Sequence, residues 1–343
     1  MVCSELVSMG RFQNFNAYDS CGYKQKRSCL NSKIKPMSNQ EKIKSLLEKL
    51  NKVIFGKKHE IELITTVLLA EGHVLIEDVP GTGKTVLAKA VSTVLGLDFK
   101  RIQMTPDLLP SDLTGSTVMK LDRSGFDFSE GPLFSSVVLA DEINRASPKT
   151  LSAMLEAMEE KQITVDGTTR ILPEPFLVIA TQNPVEHEGV FQLPCAQLDR
   201  FAARVTLGYV SKDIEVDILN SQNIAHPLEG LKPQIDSKKV KECIKEAREI
   251  HISDVVQNYI VEIVRETRKK TTFIGASTRG AIVLSRVARS KAWLKGRDYV
   301  LPDDVKSLAI PVLAHRMIDE SGSFDHSEDE IKEILSRIPA PIA

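Results

Sequence analysis

Residues 73–85 read His-Val-Leu-Ile-Glu-Asp-Val-Pro-Gly-Thr-Gly-Lys-Thr, and the reading of the whole chain turns on this stretch. Val74-Leu75-Ile76 is apolar and long enough only for a buried strand. Pro80-Gly81-Thr82-Gly83 is a turn, and Lys84-Thr85 opens a helical pattern. Strand, glycine turn, Lys-Thr and helix together form the context of a phosphate-binding P-loop. The glycines let backbone N–H groups close around phosphate oxygens with no Cβ in the way. The helix that begins there points its positive end at the same anion. The candidate phosphate-binding run is therefore Asp78, Val79, Pro80, Gly81, Thr82, Gly83, Lys84, Thr85 and Val86. Lys84 is expected on the β- and γ-phosphates, and the Thr85 hydroxyl on Mg²⁺. Asp78 stands where the strict pattern has its first glycine.

Working outward, a strand near Phe99 to Met104 follows the P-loop helix. Pro106 to Gly115 reads as a loop, and Ser116 to Phe128 as a hairpin turning at Asp122 to Gly125. The apolar run Ser136 to Ala140 delivers Asp141-Glu142 at its C-terminal end, where open α/β sheets place their chemistry. Asp141 is the second candidate Mg²⁺ ligand, directly or through water. Glu142 is the candidate base for an attacking water. Ser147-Pro148 opens a helix with cap and first-turn residues in the favoured order. Its stripe, Leu151, Met154, Leu155 and Met158, reads as core. A second hairpin spans Gln162 to Pro173, turning at Asp166-Gly167. Phe176 to Thr181 is another buried strand, and Asn183 just past it offers an amide to a γ-phosphate or water. Ala203 to Leu207 is a last strand. His187-Glu188 is no metalloprotease motif, because position 191 is Phe191.

Before the P-loop, Ser38 and Glu41 form a capping box. The helix they open has Ile43, Leu46, Leu47 and Leu50 on one stripe, and a second helix, from about Lys57 to Glu71, carries Ile61, Ile64, Leu68 and Leu69. Residues 1–36 differ from the rest. They hold three of the five cysteines and six basic residues against Glu5 and Asp19. They are read as a disordered or mis-assigned extension ahead of a natural start at Met37. From about Ser211 the pattern is helical: Lys238 to His251, Asp254 to Lys269, Thr278 to Leu294, Pro302 to Met317 and Ser327 to Ile338. Arg268-Lys269-Lys270 reads as a solvated helix end.

Lys plus Arg (45) balances Asp plus Glu (46), so net charge does not single out a nucleic-acid partner. No apolar run reaches the ~18 residues of a membrane span, no signal-peptide core is visible, and no Cys-x-x-Cys pair suggests zinc or a disulfide framework. The cytoplasm is the expected compartment.

The runs EDVPGTGKT, VVLADEINRASPKT, IATQNP and LPCAQLDRF, in that order, resemble the MoxR family of AAA+ ATPases, and the match continues through GASTRG and GRDYVLPDDVKSLA. It covers essentially Lys42 to Met317. An acid at the first P-loop glycine is ordinary in that family. Cys195 stands where an acid is common, and Thr278 where proline is common. The resemblance implies that Asn183 is the sensor-1 residue and that Arg200 is the arginine finger presented to a neighbouring subunit, with Arg204 as rival. It implies that Arg279 is sensor 2, reaching from the lid to the γ-phosphate. It also matches the two hairpins to the insertions of the branch that holds magnesium chelatase and the MCM helicases.

The expected protein is thus an α/β AAA+ P-loop NTPase. It has a five-stranded parallel sheet between helices (37–210) and an all-helical lid (211–343). The resemblance implies ATP and Mg²⁺ as cofactors, a ring, expected as a hexamer, and chaperone-like work on a partner with a von Willebrand factor A domain. A nucleic-acid translocase of the same branch and a nucleotide-gated scaffold are the alternatives. No recognition domain or aromatic–basic stretch supports the first, and Glu142 speaks against the second.

Overall fold

The computed structural model describes residues 38–341, without residues 80, 121, 123, 184–192, 223–227, 271–272 and 320–325. The expectations for residues 1–36, Pro80 and His187-Glu188 therefore lie outside the described residues.

Two helices, α1 (Asn39–Val53) and α2 (Lys58–Leu69), lead into strand β1 (Val74–Glu77), followed by α3 (Lys84–Val94), β2 (Phe99–Gln103) and the short α4 (Pro110–Thr114). A hairpin, β3 (Gly115–Met119) and β4 (Phe126–Glu130), precedes β5 (Val137–Asp141) and α5 (Pro148–Glu160). A second hairpin, β6 (Gln162–Val165) and β7 (Thr168–Ile171), precedes β8 (Leu177–Gln182), α6 (Cys195–Leu198) and β9 (Ala203–Val205). The remainder is α7 (Lys212–Gln222), α8 (Ser237–Arg248), α9 (Asp254–Glu266), β10 (Phe273–Ile274), α10 (Thr278–Leu294), α11 (Pro302–Leu313), β11 (Ile318–Asp319) and α12 (Ser327–Arg337).

The central sheet is parallel with strand order β2-β5-β8-β1-β9. Val74, Leu75 and Ile76 are buried, as in a strand covered on both faces. One buried cluster holds Val74, Ile76, Leu139 and Ile179 with α1, α2 and α3, and runs on into the lid through Val287, Trp293 and Leu308. A second cluster on the other face holds Leu75, Val138 and Val178 with Leu151, Met154, Leu155 and Met158 of α5. The α5 stripe is core, as read. The capping box of α1 is present, with Glu41 N–H bonded to Ser38 Oγ and Ser38 N–H to Glu41.

Four local readings need correcting. Pro106 to Gly115 is not all loop. Pro110 at the first helical position and Asp112, which accepts the Leu109 N–H at 2.8 Å, make the single-turn α4. The lid is not wholly helical, because β10 and β11 form a small antiparallel pair. The helix from Pro302 ends at Leu313, and residues 314–316 tighten into a 3₁₀ turn. Lys270 is not simply solvated; it is paired with Glu330 and Glu333 of α12.

Candidate nucleotide site

The sheet register brings the site together. Glu77 lies beside Gln182 and Gln103 beside Asp141, so the C-terminal ends of β1, β5, β8 and β2 share one edge. A cavity of about 360 Å³ sits there, lined by Gly81, Gly83, Lys84, Thr85, Val86, Arg101, Gln103, Asp141, Glu142, Thr181 and Asn183. Gly81 and Gly83 have φ of +85° and +87°, a region L side chains rarely adopt, and a Cβ on either would meet only open space. That is a cradle shaped for an anion at the start of α3. Thr85 hydroxyl and Asp141 carboxylate are both hard oxygen donors, so the residues present fit a magnesium nucleotide. The pieces forecast separately, Lys84, Thr85, Asp141, Glu142 and Asn183, line this one cavity.

Several side chains on this edge escaped the sequence reading. Thr181 Oγ1 donates to Asp141 at 3.2 Å and accepts the Glu142 N–H at 2.9 Å, tying the acid pair to β8. Glu142 sits in the left-handed region, φ 56° and ψ 52°, which turns its carboxylate off the strand axis. That carboxylate accepts from Gln103 Nε2 and Arg145, each at 2.8 Å. Arg101 Nε donates to Asp141 at 2.5 Å. On the edge strand β2, Ile102 is buried and its neighbours Arg101 and Gln103 are exposed.

Asp78 braces the loop through its side chain. It is buried, and its carboxylate accepts the Val79 N–H and the Gly208 N–H, each at 2.8 Å. It fixes the P-loop to the segment after β9. Buried Lys57 holds that segment from the other side, donating to the carbonyls of Leu207 and Gly208. Beside these contacts lies an apolar cavity of about 300 Å³, walled by Ile54, Phe55, Leu207, Tyr209, Val210 and Ile218. It shares Gly81, Gly83 and Val86 with the phosphate-side cavity. A flat apolar base on one side and a phosphate chain on the other fit the pair.

Arg200 and Arg279 are elsewhere. They line a third cavity, of about 560 Å³, that holds none of the P-loop residues. Both pair with Glu159 of α5: Arg200 Nε at 2.9 Å on one oxygen, Arg279 on the other. Burial pushes the Glu159 carboxyl up, but the two arginines outweigh it and hold the group below the usual range. Next to Arg200, Asp199 accepts from Arg316 Nε at 2.7 Å and from Ser277, the cap of α10, at 3.1 Å. Arg204 lies apart, held by Glu77 at 2.9 Å and Glu328 at 2.8 Å.

Cys243 is buried, and burial pushes its thiol up to about 12. Among the described residues no cluster of three His, Cys, Asp or Glu side chains is set to hold a metal, and no helix is long and apolar enough to cross a membrane.

Comparison with known proteins agrees with this geometry. The ATPase family associated with various cellular activities (AAA) matches residues 73–203, and the AAA lid domain matches residues 265–337. The chain is 46% identical over 314 residues to YeaC, an uncharacterised protein of Bacillus subtilis (strain 168), covering 89% of this chain and 98% of that one. It is 37% identical to Chaperone MoxR1 of Mycobacterium tuberculosis, covering 86% of this chain and 80% of that one. A crystal structure from Cytophaga hutchinsonii, of a protein assigned provisionally as an ATPase, superposes with a TM-score of 0.81 at 38% identity, covering 89% and 96% of the two chains. Sheet, lid, P-loop cavity and relatives agree, and the chain belongs to the MoxR family of AAA+ ATPases.

Proposed function

We propose that this protein hydrolyses ATP with Mg²⁺ in a ring of identical subunits and uses the cycle to remodel or mature a partner protein. The observation that carries this reading is the convergence of Lys84, Thr85, Asp141, Glu142 and Asn183 on one cavity. The adenine would lie in the apolar cavity and the phosphates against the glycine cradle. Thr85 and Asp141 would hold Mg²⁺, which when bound supplies positive charge against the phosphate oxygens. Lys84 binds the β- and γ-phosphates, Asn183 orients the water or γ-phosphate, and Glu142 takes the water's proton. Residues 37–210 would form the nucleotide-binding part and 211–343 the lid.

Arg200 and Arg279 line no part of their own subunit's P-loop cavity but share one face, which supports action across a subunit boundary. Arg204, with its side chain 12% exposed between two acids, is the less available finger. The chaperone role rests on the family and on the name of MoxR1. A partner with a von Willebrand factor A domain is the family's expectation, and the two hairpins and the segment Asp107 to Gly115 are its candidate contact surfaces.

The test is paired substitution. Lys84→Ala is expected to lose nucleotide binding, and Glu142→Gln to bind ATP without hydrolysing it. Arg200→Ala is expected to bind ATP and lose hydrolysis by roughly 10³-fold or more. Mixing it with Glu142→Gln subunits should restore activity at mixed interfaces. Hydrolysis by Glu142→Gln at the parental rate would overturn the catalytic assignment.

A further inference from the structure

The 560 Å³ cavity carries a charge imbalance the P-loop chemistry does not use. Six cations line it: Lys161, Arg200, Arg248, Arg279, Arg286 and Arg289. The lining acids are fewer. Glu71 is taken up by Lys161 at 2.6 Å and by Arg248. Asp199 is occupied by Arg316, from outside the lining set. That leaves Glu159 alone between Arg200 and Arg279, one guanidinium on each oxygen. Arg286 has no ion pair or hydrogen bond among the described residues, and the buried Nε of Arg289 has no acceptor. Burial, and behind it the charge of Arg286, depress the Lys161 ammonium although Glu174 pulls the other way. A cavity with this surplus attracts further negative charge.

The two arginines on Glu159 are held in fixed relation. The segment bearing Arg200 is tied to the lid through Asp199 by Ser277 and Arg316, and Ser277 caps the helix bearing Arg279. A carboxylate and a terminal phosphoryl group offer guanidinium the same thing, two or more anionic oxygens on one centre.

We infer that Glu159 is an internal stand-in for phosphate: its two oxygens hold Arg200 and Arg279 in the fork that receives the γ-phosphate of a nucleotide bound to an adjacent copy of this chain, and that phosphate must displace it. The inference rests on the proposal that Arg200 acts across a subunit boundary. It adds that the exchange is a competition. A subunit by itself keeps its two arginines paired to one carboxylate, and only a triphosphate across the boundary outbids that carboxylate, since a diphosphate lacks the group. Arg286, seven residues after Arg279 and so on the same face of α10, leaves positive potential behind the fork to favour the incoming anion. Glu159 is in the last turn of α5, whose end at Lys161 opens the β6–β7 hairpin. Release of the carboxylate therefore acts on the element that carries a candidate partner surface.

The test is the protein concentration at which full-length subunits assemble, measured by sedimentation with a slowly hydrolysed ATP analogue and, separately, with ADP. Glu159→Gln removes the competing charge and keeps the shape. Each released pair is partly exposed, so a fall of roughly two- to tenfold in the midpoint is expected with the analogue, and none with ADP. Glu159→Asp, whose shorter carboxylate cannot span both arginines, should shift the midpoint the same way by less, and decides the matter if Glu159→Gln does not fold. A midpoint that stays, rises, or falls equally with ADP overturns the stand-in. So does an ATPase rate at saturating protein that collapses as far as in Arg200→Ala, which would make Glu159 a support of the finger. The two readings fail separately. Parental hydrolysis by Arg200→Ala removes the action across the boundary, whereas an inactive Arg200→Ala with an unmoved Glu159→Gln midpoint removes only the stand-in.

Discussion

Thr117 in the first hairpin donates a 2.6 Å hydrogen bond to Asp166 at the turn of the second. These two residues, 49 apart in sequence, join the two insertions. Arg170 of the second hairpin reinforces the link, with its guanidinium carbon 3.7 Å from the centroid of the Phe128 ring of the first. We expect them to move together, with a coupling of about 0.5–1 kcal/mol in a double-mutant cycle of Phe128→Leu and Arg170→Ala. Additive losses in denaturant unfolding would show two independent hairpins.

Asp78 yields a less intuitive prediction. Asp78→Gly restores the strict glycine pattern of the P-loop, yet it removes the acceptor for two backbone N–H groups in a buried site. It should destabilise the fold by about 1–3 kcal/mol and weaken ADP binding. Calorimetric titration and unfolding of Asp78→Gly beside Asp78→Asn measure both. Parental affinity in Asp78→Gly would mean that the brace is irrelevant to the site.

Arg101 sets a third. Its Nε lies 2.5 Å from the carboxylate proposed to hold Mg²⁺, on a side chain 52% exposed. The cation and the guanidinium compete for one acceptor. Arg101→Ala should lower the Mg²⁺ concentration that half-supports nucleotide binding by roughly two- to fivefold, with Arg101→Lys between. A midpoint that rises in Arg101→Ala would place this arginine on the phosphates instead.

Stability should depend on pH through two buried histidines. His73 Nδ1 accepts the Val178 N–H at 3.0 Å, so Nε2 carries the proton, bonded to the Met158 carbonyl at 3.0 Å. Burial lowers the pKa of His73 to about 4, with Lys161 adding to the fall against the Met158 bond. Burial, then Arg316, drives His315 well below 6.5. The unfolded chain takes up protons near pH 6.5 that the folded chain refuses. Their contribution is therefore complete above pH 6.5 and is lost as pH falls from there towards 4. The expected slope between pH 6 and 5 is about 1.4 kcal/mol per pH unit for each proton. Unfolding that takes up no protons across that window would contradict the neutral, buried assignment.

The parts of this molecule legible in sequence were those governed by local rules. The capping box at Ser38, the apolar strands at Val74 and Ser136, and the glycine cradle at Gly81 each follow from neighbours in the chain. The spatial meeting of Asp141 with Lys84 was legible too, because parallel sheets gather strand ends on one edge. What stayed hidden was long-range pairing of polar side chains. Nothing near Glu159 in sequence announces that Arg200 and Arg279, 41 and 120 residues away, share it. Nor does Arg101, on an edge strand with ordinary alternation, announce its partner on β5. Asp78 was identifiable as unusual, but its acceptor role depends on Gly208, 130 residues on.

The Asp199–Arg316 tie affects how variants of this protein will be read. Arg316 has a side chain 1% exposed, and besides Asp199 it serves the carbonyls of Asp199 and Phe201. Loss of Asp199 would strand a buried positive charge, a defect typically worth 3–5 kcal/mol. In a genetic screen such a lesion would score as loss of activity one residue from the proposed finger, although Asp199 is not placed at a phosphate. Function lost at Asp199, His315 or Arg316 is best sorted by abundance first and turnover second, since these three positions report on whether the lid and the segment bearing Arg200 still travel as one piece.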